Sequence, residues 1–245
     1  MTAQNTCTAV IVAAGSASRM GGIDKLFAPI GGIPVLLRTV QALSASAQIS
    51  EIVIVAREGV LSKVRELCAA EKKLKCVVSG GETRVHSVRN GLCAVETPLV
   101  AIHDGARPLV TAAVIDAAVA AAELHGAAAP AIAVHDTIKI AQAGVVLSTP
   151  DRATLFAVQT PQVFATEKIR AAIDTALALG IALTDDCSAA EAAGMTVQLT
   201  AGDRENLKIT TPLDLDLAET ILKRRAAPCE SDTAMMSTAS VPTEG

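Results

Sequence analysis

The amino-acid sequence predicts an α/β protein, a mainly parallel sheet with helices on both faces. Apolar runs alternate with amphipathic segments over most of the 245 residues, the order expected of strand–helix–strand units. The strand-like runs are apolar on both faces, as in Ala9-Val10-Ile11-Val12, which suits a sheet covered from two sides. Glycine-rich or charged clusters follow several of these runs directly, and open α/β sheets hold their ligands beyond the carboxyl ends of the strands.

The first strand covers 8–12, and the small residues from Ala13 to Ser18 form the turn after it. Pro34 opens a helix over 35–43, since proline's fixed φ suits the first turn. A strand over 51–56 is paired with a helix over 61–70, and a strand over 75–78 leads through Gly80-Gly81 into a helix over 84–94. A fourth strand, 99–103, precedes a helix over 112–125, and a fifth, 128–134, ends the regular alternation. Between 136 and 161, Thr137-Ile138-Lys139-Ile140 and Val145-Val146-Leu147 flank Ala143-Gly144, a hairpin signal, so this segment is expected to leave the sheet as an arm. Such an arm cannot hold its own core; it reads either as a dimerisation element or as a plain surface hairpin. Helices over 167–179 and 185–193, a strand over 197–200 and a helix over 213–223 opened by Thr211-Pro212 complete a single domain of residues 1–225. The stretch 226–245, rich in Ser, Thr and Pro and without periodicity, is expected to be disordered.

Composition narrows the chemistry. With 51% hydrophobic and 19% charged residues the chain can bury a substantial core. A net charge of −4 supplies no basic field for nucleic acid, so any anion must be held by a local cluster. Three Phe and neither Tyr nor Trp leave few platforms on which bases could stack. The six cysteines form no CxxC pair or zinc-like cluster and are expected to be reduced thiols. No apolar run reaches the roughly 20 residues that a membrane span requires, and none resembles a signal peptide; a cytoplasmic protein is expected.

The turn after the first strand exposes backbone N–H groups from Ala14 to Ser18, with Arg19 and Lys25 beyond, an arrangement suited to phosphate. A tight turn with surface cations would look the same. The spacing fits neither GxxxxGK[ST] nor GxGxxG, whose second glycine is replaced by Ala17. After the third strand, Gly80-Gly81-Glu82-Thr83-Arg84 with Ser87 one turn inside the helix lets backbone approach a flat base, or simply caps the helix; His86 reads as a surface or packing residue. After the fourth strand, Asp104 and Arg107 present opposite charges to the crevice, where they would meet Mg²⁺, a sugar hydroxyl or phosphate, or else pair with each other. Asp136-Thr137-Ile138-Lys139, Asp151-Arg152, Gln159-Thr160-Pro161-Gln162, Thr184-Asp185-Asp186 and Asn206-Leu207-Lys208 are each ordinary turn or capping chemistry when taken alone.

Taken in order, Ala13-Ala14-Gly15 with Arg19-Met20 and Lys25, the Gly-Gly-Glu segment with Ser87, His103-Asp104-Gly105-Ala106-Arg107-Pro108 and Gln159-Thr160-Pro161-Gln162 resemble the 2-C-methyl-D-erythritol 4-phosphate cytidylyltransferase family over 8–223. The resemblance implies a Rossmann-like nucleotidyltransferase fold and the transfer of CMP from CTP to methylerythritol phosphate, with release of pyrophosphate, in non-mevalonate isoprenoid synthesis. It implies that Arg19 and Lys25 neutralise the reacting phosphates. Ala13, Ala14, Gly15, Gly81, Glu82 and Ser87 would hold CTP, with Asp104 and Gly105 reaching both CTP and the sugar phosphate. Arg107, Thr137 and Lys208 would surround the sugar phosphate, while Arg152 and Thr160 reach it on an arm from the other subunit of a homodimer. Mg²⁺ would bridge the triphosphate with few protein ligands. Ribitol 5-phosphate cytidylyltransferases share most of these motifs and are the alternative. A nicotinamide oxidoreductase would need an acidic residue at the end of the second strand, which here reads Val55-Ala56-Arg57. A nucleotide-sensing module without turnover is the third reading.

Overall fold

The computed structural model describes residues 7–15 and 24–227. Strand β1 (Cys7–Ala13) is followed by a small hairpin, β2 (Pro29–Ile30) and β3 (Ile33–Pro34), and by α1 (Val35–Ala45). Three strand–helix pairs come next: β4 (Ile49–Ala56) with α2 (Leu61–Leu67), β5 (Leu74–Ser79) with α3 (Arg84–Leu92), and β6 (Leu99–Asp104) with α4 (Ala112–His125). The remainder holds β7 (Ala127–Ala133), an outlying hairpin of β8 (Ile140–Gln142) and β9 (Val145–Ser148), β10 (Phe156–Val158), β11 (Gln162–Ala165), α5 (Thr166–Ala178), α6 (Asp186–Ala192), β12 (Gln198–Ala201) and α7 (Pro212–Ala226).

Strands β5, β4, β1 and β6 lie side by side and parallel. Next to β6 comes β11, antiparallel to both β6 and β7. Strand β10 continues along the same side of β7, also antiparallel, and β12 runs parallel to β7 on the other. The sheet is therefore mainly parallel with one reversed, two-piece strand.

Alternation within the strands explains the layering. Ala9 and Ile11 of β1 and Ile52 and Ile54 of β4 face Leu36, Val40 and Leu43 of α1 and Ile115 and Val119 of α4. Val10, Val53 and Val55 face Val88 and Leu92 of α3 and Ile169 and Ile173 of α5. Each fully buried aliphatic side chain stabilises the fold by about 1.5–3 kcal/mol relative to exposure. A one-residue slip of β1 would exchange its two faces, so this packing fixes the register. Leu109, Ile209, Ala218 and Ile221 form a smaller cluster that docks α7. Helix α7 starts at Pro212, with the Asp214 carboxylate accepting from the N–H groups of Thr210 and Thr211.

Two expectations about the sheet change. No strand is legible at Gln162–Ala165, yet β11 is a central member of the sheet. The arm is also shorter than 136–161, because Phe156–Val158 pair with β7 and Gln159 and Thr160 are buried. Both differences have one source: β10 and β11 have three and four residues and are split by Gln159-Thr160-Pro161, so neither shows a readable period. The expected disordered stretch begins inside α7, which continues to Ala226, and residues 228–245 lie outside the described residues.

Candidate active site

Sheet register builds the site. Ala13 pairs with Ala56, Ala56 with Ser79, and Val12 with Asp104, so β1, β4, β5 and β6 end at one level. The segments that follow, Ala14-Gly15, Gly80-Gly81-Glu82 and Gly105, therefore gather on one edge. Ala14, Gly15, Gly81, Glu82 and Gly105 line a cavity of about 410 Å³.

Its first wall is Ala13, Ala14 and Gly15 with Lys25 beside them. Arg19, assigned with Lys25 to the reacting phosphates, lies outside the described residues. The second wall is Gly81 and Glu82, held from below by Ser87. The Ser87 hydroxyl, 2% exposed, donates to the Thr83 carbonyl at 3.0 Å and accepts from the Gly81 N–H at 3.1 Å. Thr83 caps α3 by accepting from the His86 N–H, and its hydroxyl meets His86 Nδ1 at 2.8 Å. Gly80 has no room for a side chain, because a Cβ there would collide with Ala14 Cβ and approach Ser87 Oγ to 3.0 Å. Only glycine lets the two walls come this close.

The floor is Asp104, with Gly105 and Lys208. Asp104 Oδ2 receives Lys208 Nζ at 2.9 Å and Arg107 Nε at 3.3 Å, and Arg84 Nε stands 3.9 Å from Oδ1. Burial acts to raise the Asp104 pKa, but Lys208, Arg84 and Arg107 together hold it down at about 2. Lys208 reaches the floor because its loop is tied down next door: the Ile209 N–H donates to the Ala106 carbonyl at 2.8 Å. Lys25, Arg84 and Lys208 bring three cationic side chains to the cavity of an acidic chain, beside Glu82 and Asp104. An anionic ligand suits it.

Several residues sit elsewhere than the sequence suggested. Arg107 lies behind Asp104, donating from Nη1 to the Asn206 carbonyl at 2.6 Å, and is not among the lining residues. Thr160 does not reach across from a neighbouring subunit. It is 5% exposed under the floor of its own chain, where its hydroxyl accepts from the Asp104 N–H at 3.1 Å and meets His103 Nδ1 at 2.9 Å. Thr137 and Arg152 are exposed on the arm, away from the cavity, and Arg152 donates to the His135 carbonyl at 2.7 Å.

The structure adds residues that sequence reasoning passed over. Arg84 lines the cavity and forms a bidentate pair with Asp186, at 2.8 and 2.7 Å. Burial lowers the Arg84 pKa, but Asp186, Asp104 and Asp185 outweigh it and hold the guanidinium above its ordinary value. Asp186 thus does more than open α6; Asp185 is the capping residue, accepting from the Ser188 N–H. Gln162 completes this support, its Oε1 accepting from the Asp186 and Cys187 N–H groups at 3.0 Å. These residues lie in motifs visible in the sequence, but a pair 102 positions apart has no local signal.

The family model described as 2-C-methyl-D-erythritol 4-phosphate cytidylyltransferase matches residues 7–224. The chain belongs to that family. It is accordingly a cytidylyltransferase, a nucleotidyltransferase enzyme. The cytidylyltransferase of that name from Desulforamulus reducens is 44% identical over 229 residues, covering 91% of this chain and 98% of its own. That from Symbiobacterium thermophilum is 45% identical over 224 residues, covering 90% and 94%. Among solved structures, a 4-diphosphocytidyl-2C-methyl-D-erythritol synthase from Anaerococcus prevotii has a TM-score of 0.81 at 31% identity, covering 90% of this chain and 97% of that one.

Proposed function

We infer that the chain transfers CMP from CTP to 2-C-methyl-D-erythritol 4-phosphate, giving 4-diphosphocytidyl-2-C-methyl-D-erythritol and pyrophosphate, a step of isoprenoid synthesis. One observation carries this reading: the Gly15 turn with Lys25, the Gly81-Glu82 wall and the Asp104–Lys208 floor open into one cavity. A triphosphate lies along the Gly15 turn, accepting from backbone N–H groups, with Arg19 and Lys25 neutralising charge on the α-phosphate and the leaving pyrophosphate. Cytosine stacks against the Gly81-Glu82 backbone that Ser87 holds in place. The acceptor phosphate comes in over Asp104, Gly105 and Lys208, with Arg107 and Thr160 setting that floor from behind.

The acceptor is itself an anionic nucleophile, so no covalent enzyme intermediate is needed. In-line placement and charge neutralisation supply the rate. The described residues contain no group of three potential metal ligands. They place the Asp104 carboxylate in the cavity, but Lys208 and Arg107 already engage its Oδ2 and Arg84 faces its Oδ1, so Mg²⁺ would be held mainly by the triphosphate oxygens, with few protein ligands. Bound there with CTP, the ion would neutralise triphosphate charge.

The arm makes the enzyme a homodimer in this reading. Val145, Val146 and Leu147 of the outlying hairpin and Phe156 of β10 are each about half exposed or more, apolar surface that a partner would cover in bringing Thr137 and Arg152 toward the neighbouring site. Five described cysteines are free thiols and no described helix is long and apolar enough to cross a membrane, in keeping with a cytoplasmic enzyme. The relatives' names favour methylerythritol phosphate over ribitol phosphate as acceptor. Pyrophosphate release from CTP with each acceptor in turn tests this: methylerythritol phosphate should turn over faster, and preference for ribitol phosphate would overturn the assignment.

A further inference from the structure

Lys25 lies in no helix or strand; it is held in a turn, and the bonds that close the turn converge on Asp24. The Asp24 carbonyl accepts from the N–H groups of Phe27 at 3.0 Å and Ala28 at 3.1 Å. Its Oδ1 accepts from the Leu26 N–H at 3.3 Å, and its Oδ2 pairs with the Arg57 guanidinium. On the far side the turn is anchored by Leu26, which is 3% exposed and whose carbonyl accepts from the Leu36 N–H at 2.9 Å. On the near side the anchor is Arg57. It follows Ala56, the last residue of β4, which pairs with Ala13 just before the Gly15 turn. The sheet therefore fixes Arg57 relative to the phosphate side of the cavity.

Arg57 also accounts for an oddity of the sequence. A nicotinamide-binding sheet ends its second strand with a carboxylate that holds ribose; here that place carries a cation, and it reaches Asp24, one residue before Lys25. We propose that Asp24 and Arg57 are positioning residues for nucleotidyl transfer, their ion pair fixing the turn that presents the Lys25 ammonium to the triphosphate. This rests on the role assigned above to Lys25. An ammonium on a flexible stem acts as a point charge, and its effect on a transition state depends on where the backbone launches it. Both partners of the pair are about one-third exposed, so it adds little to global stability. Positioning and stability should therefore separate.

The test is a kinetic cycle with CTP and methylerythritol phosphate, alongside thermal denaturation. Asp24→Asn and Arg57→Gln should each lower kcat about tenfold, with the KM for the sugar phosphate and the melting temperature little changed, and Arg57→Lys should retain most of kcat. In a Lys25→Ala background neither change should cost anything further, because the group being positioned is gone. Wild-type kcat in both single variants, or losses that multiply in the Lys25→Ala background, would overturn the proposal while leaving the site reading intact. Full activity in Lys25→Ala itself would instead overturn the role of Lys25, and the proposal with it. Should Asp24→Asn fold poorly, Arg57→Gln leaves the bonds made by Asp24 within the turn intact and carries the test alone.

Discussion

His103 is buried completely beneath the site, and its two nitrogens have different tasks. Nε2 lies 3.2 Å from the Arg107 carbonyl, which can only accept, so Nε2 carries the proton. Burial lowers the imidazole pKa from 6.5 to about 4, leaving the ring neutral and Nδ1 free to accept from the Thr160 hydroxyl. That hydroxyl in turn accepts from the Asp104 N–H, so one chain of bonds orders the floor. An unfolded chain takes up this proton near 6.5 and the folded one only near 4, so protonation favours unfolding. Stability linked to His103 is complete above 6.5 and falls away as the pH drops toward 4. Melting temperatures across that window should slope downward in the wild type and flatten in His103→Asn, which keeps an acceptor for Thr160. Asp104 behaves in the same sense over a lower window. Its ion-paired stabilisation is present above the ordinary 3.8 and is lost as the pH falls through about 2. Asp104 therefore stays ionised throughout the neutral range, and Asp104→Asn should reduce kcat/KM for the sugar phosphate on the order of 10²-fold in a steady-state assay.

Between elements, the decisive quantity is the close approach of the turns after β1 and β5. Gly80→Ala forces a methyl group against Ala14 and Ser87, and overpacking of this kind costs about 1–3 kcal/mol. The variant should melt lower and show a raised KM for CTP, with less effect on the KM for methylerythritol phosphate; equal rises in both would show that the two walls are not specific to the nucleotide. The parallel strands and their following turns were legible in the sequence because each signal is local: a β-branched run, then glycines. What escaped was non-local. β11 is too short to show a period, and its place between β6 and β7 comes from burial of Val163 and Phe164 against both neighbours. The Arg84–Asp186 pair escaped for a similar reason. Asp185 and Asp186 both look like capping residues, and only the packing of α6 beside α3 and α5 tells them apart. Thr160 is recognisable from its motif, but its surroundings are not, because nothing local shows that the chain has already rejoined the sheet at Phe156.

For the whole molecule, the arm and the cavity make separate claims. If arms exchange between subunits, Arg152→Ala should cripple turnover, and mixing that variant with Lys25→Ala protein under conditions of subunit exchange should restore part of the activity, measured as pyrophosphate release. No recovery despite demonstrated exchange would confine each arm to its own subunit. CTP is expected in the cavity at the carboxyl ends of β1, β5 and β6. A crystal structure determined with CTP and Mg²⁺ tests it most directly. The triphosphate should lie against the Ala14-Gly15 backbone within reach of Lys25, with cytosine over Gly81 and Glu82. An empty cavity under saturating CTP, or a nucleotide bound elsewhere on the protein, would contradict it.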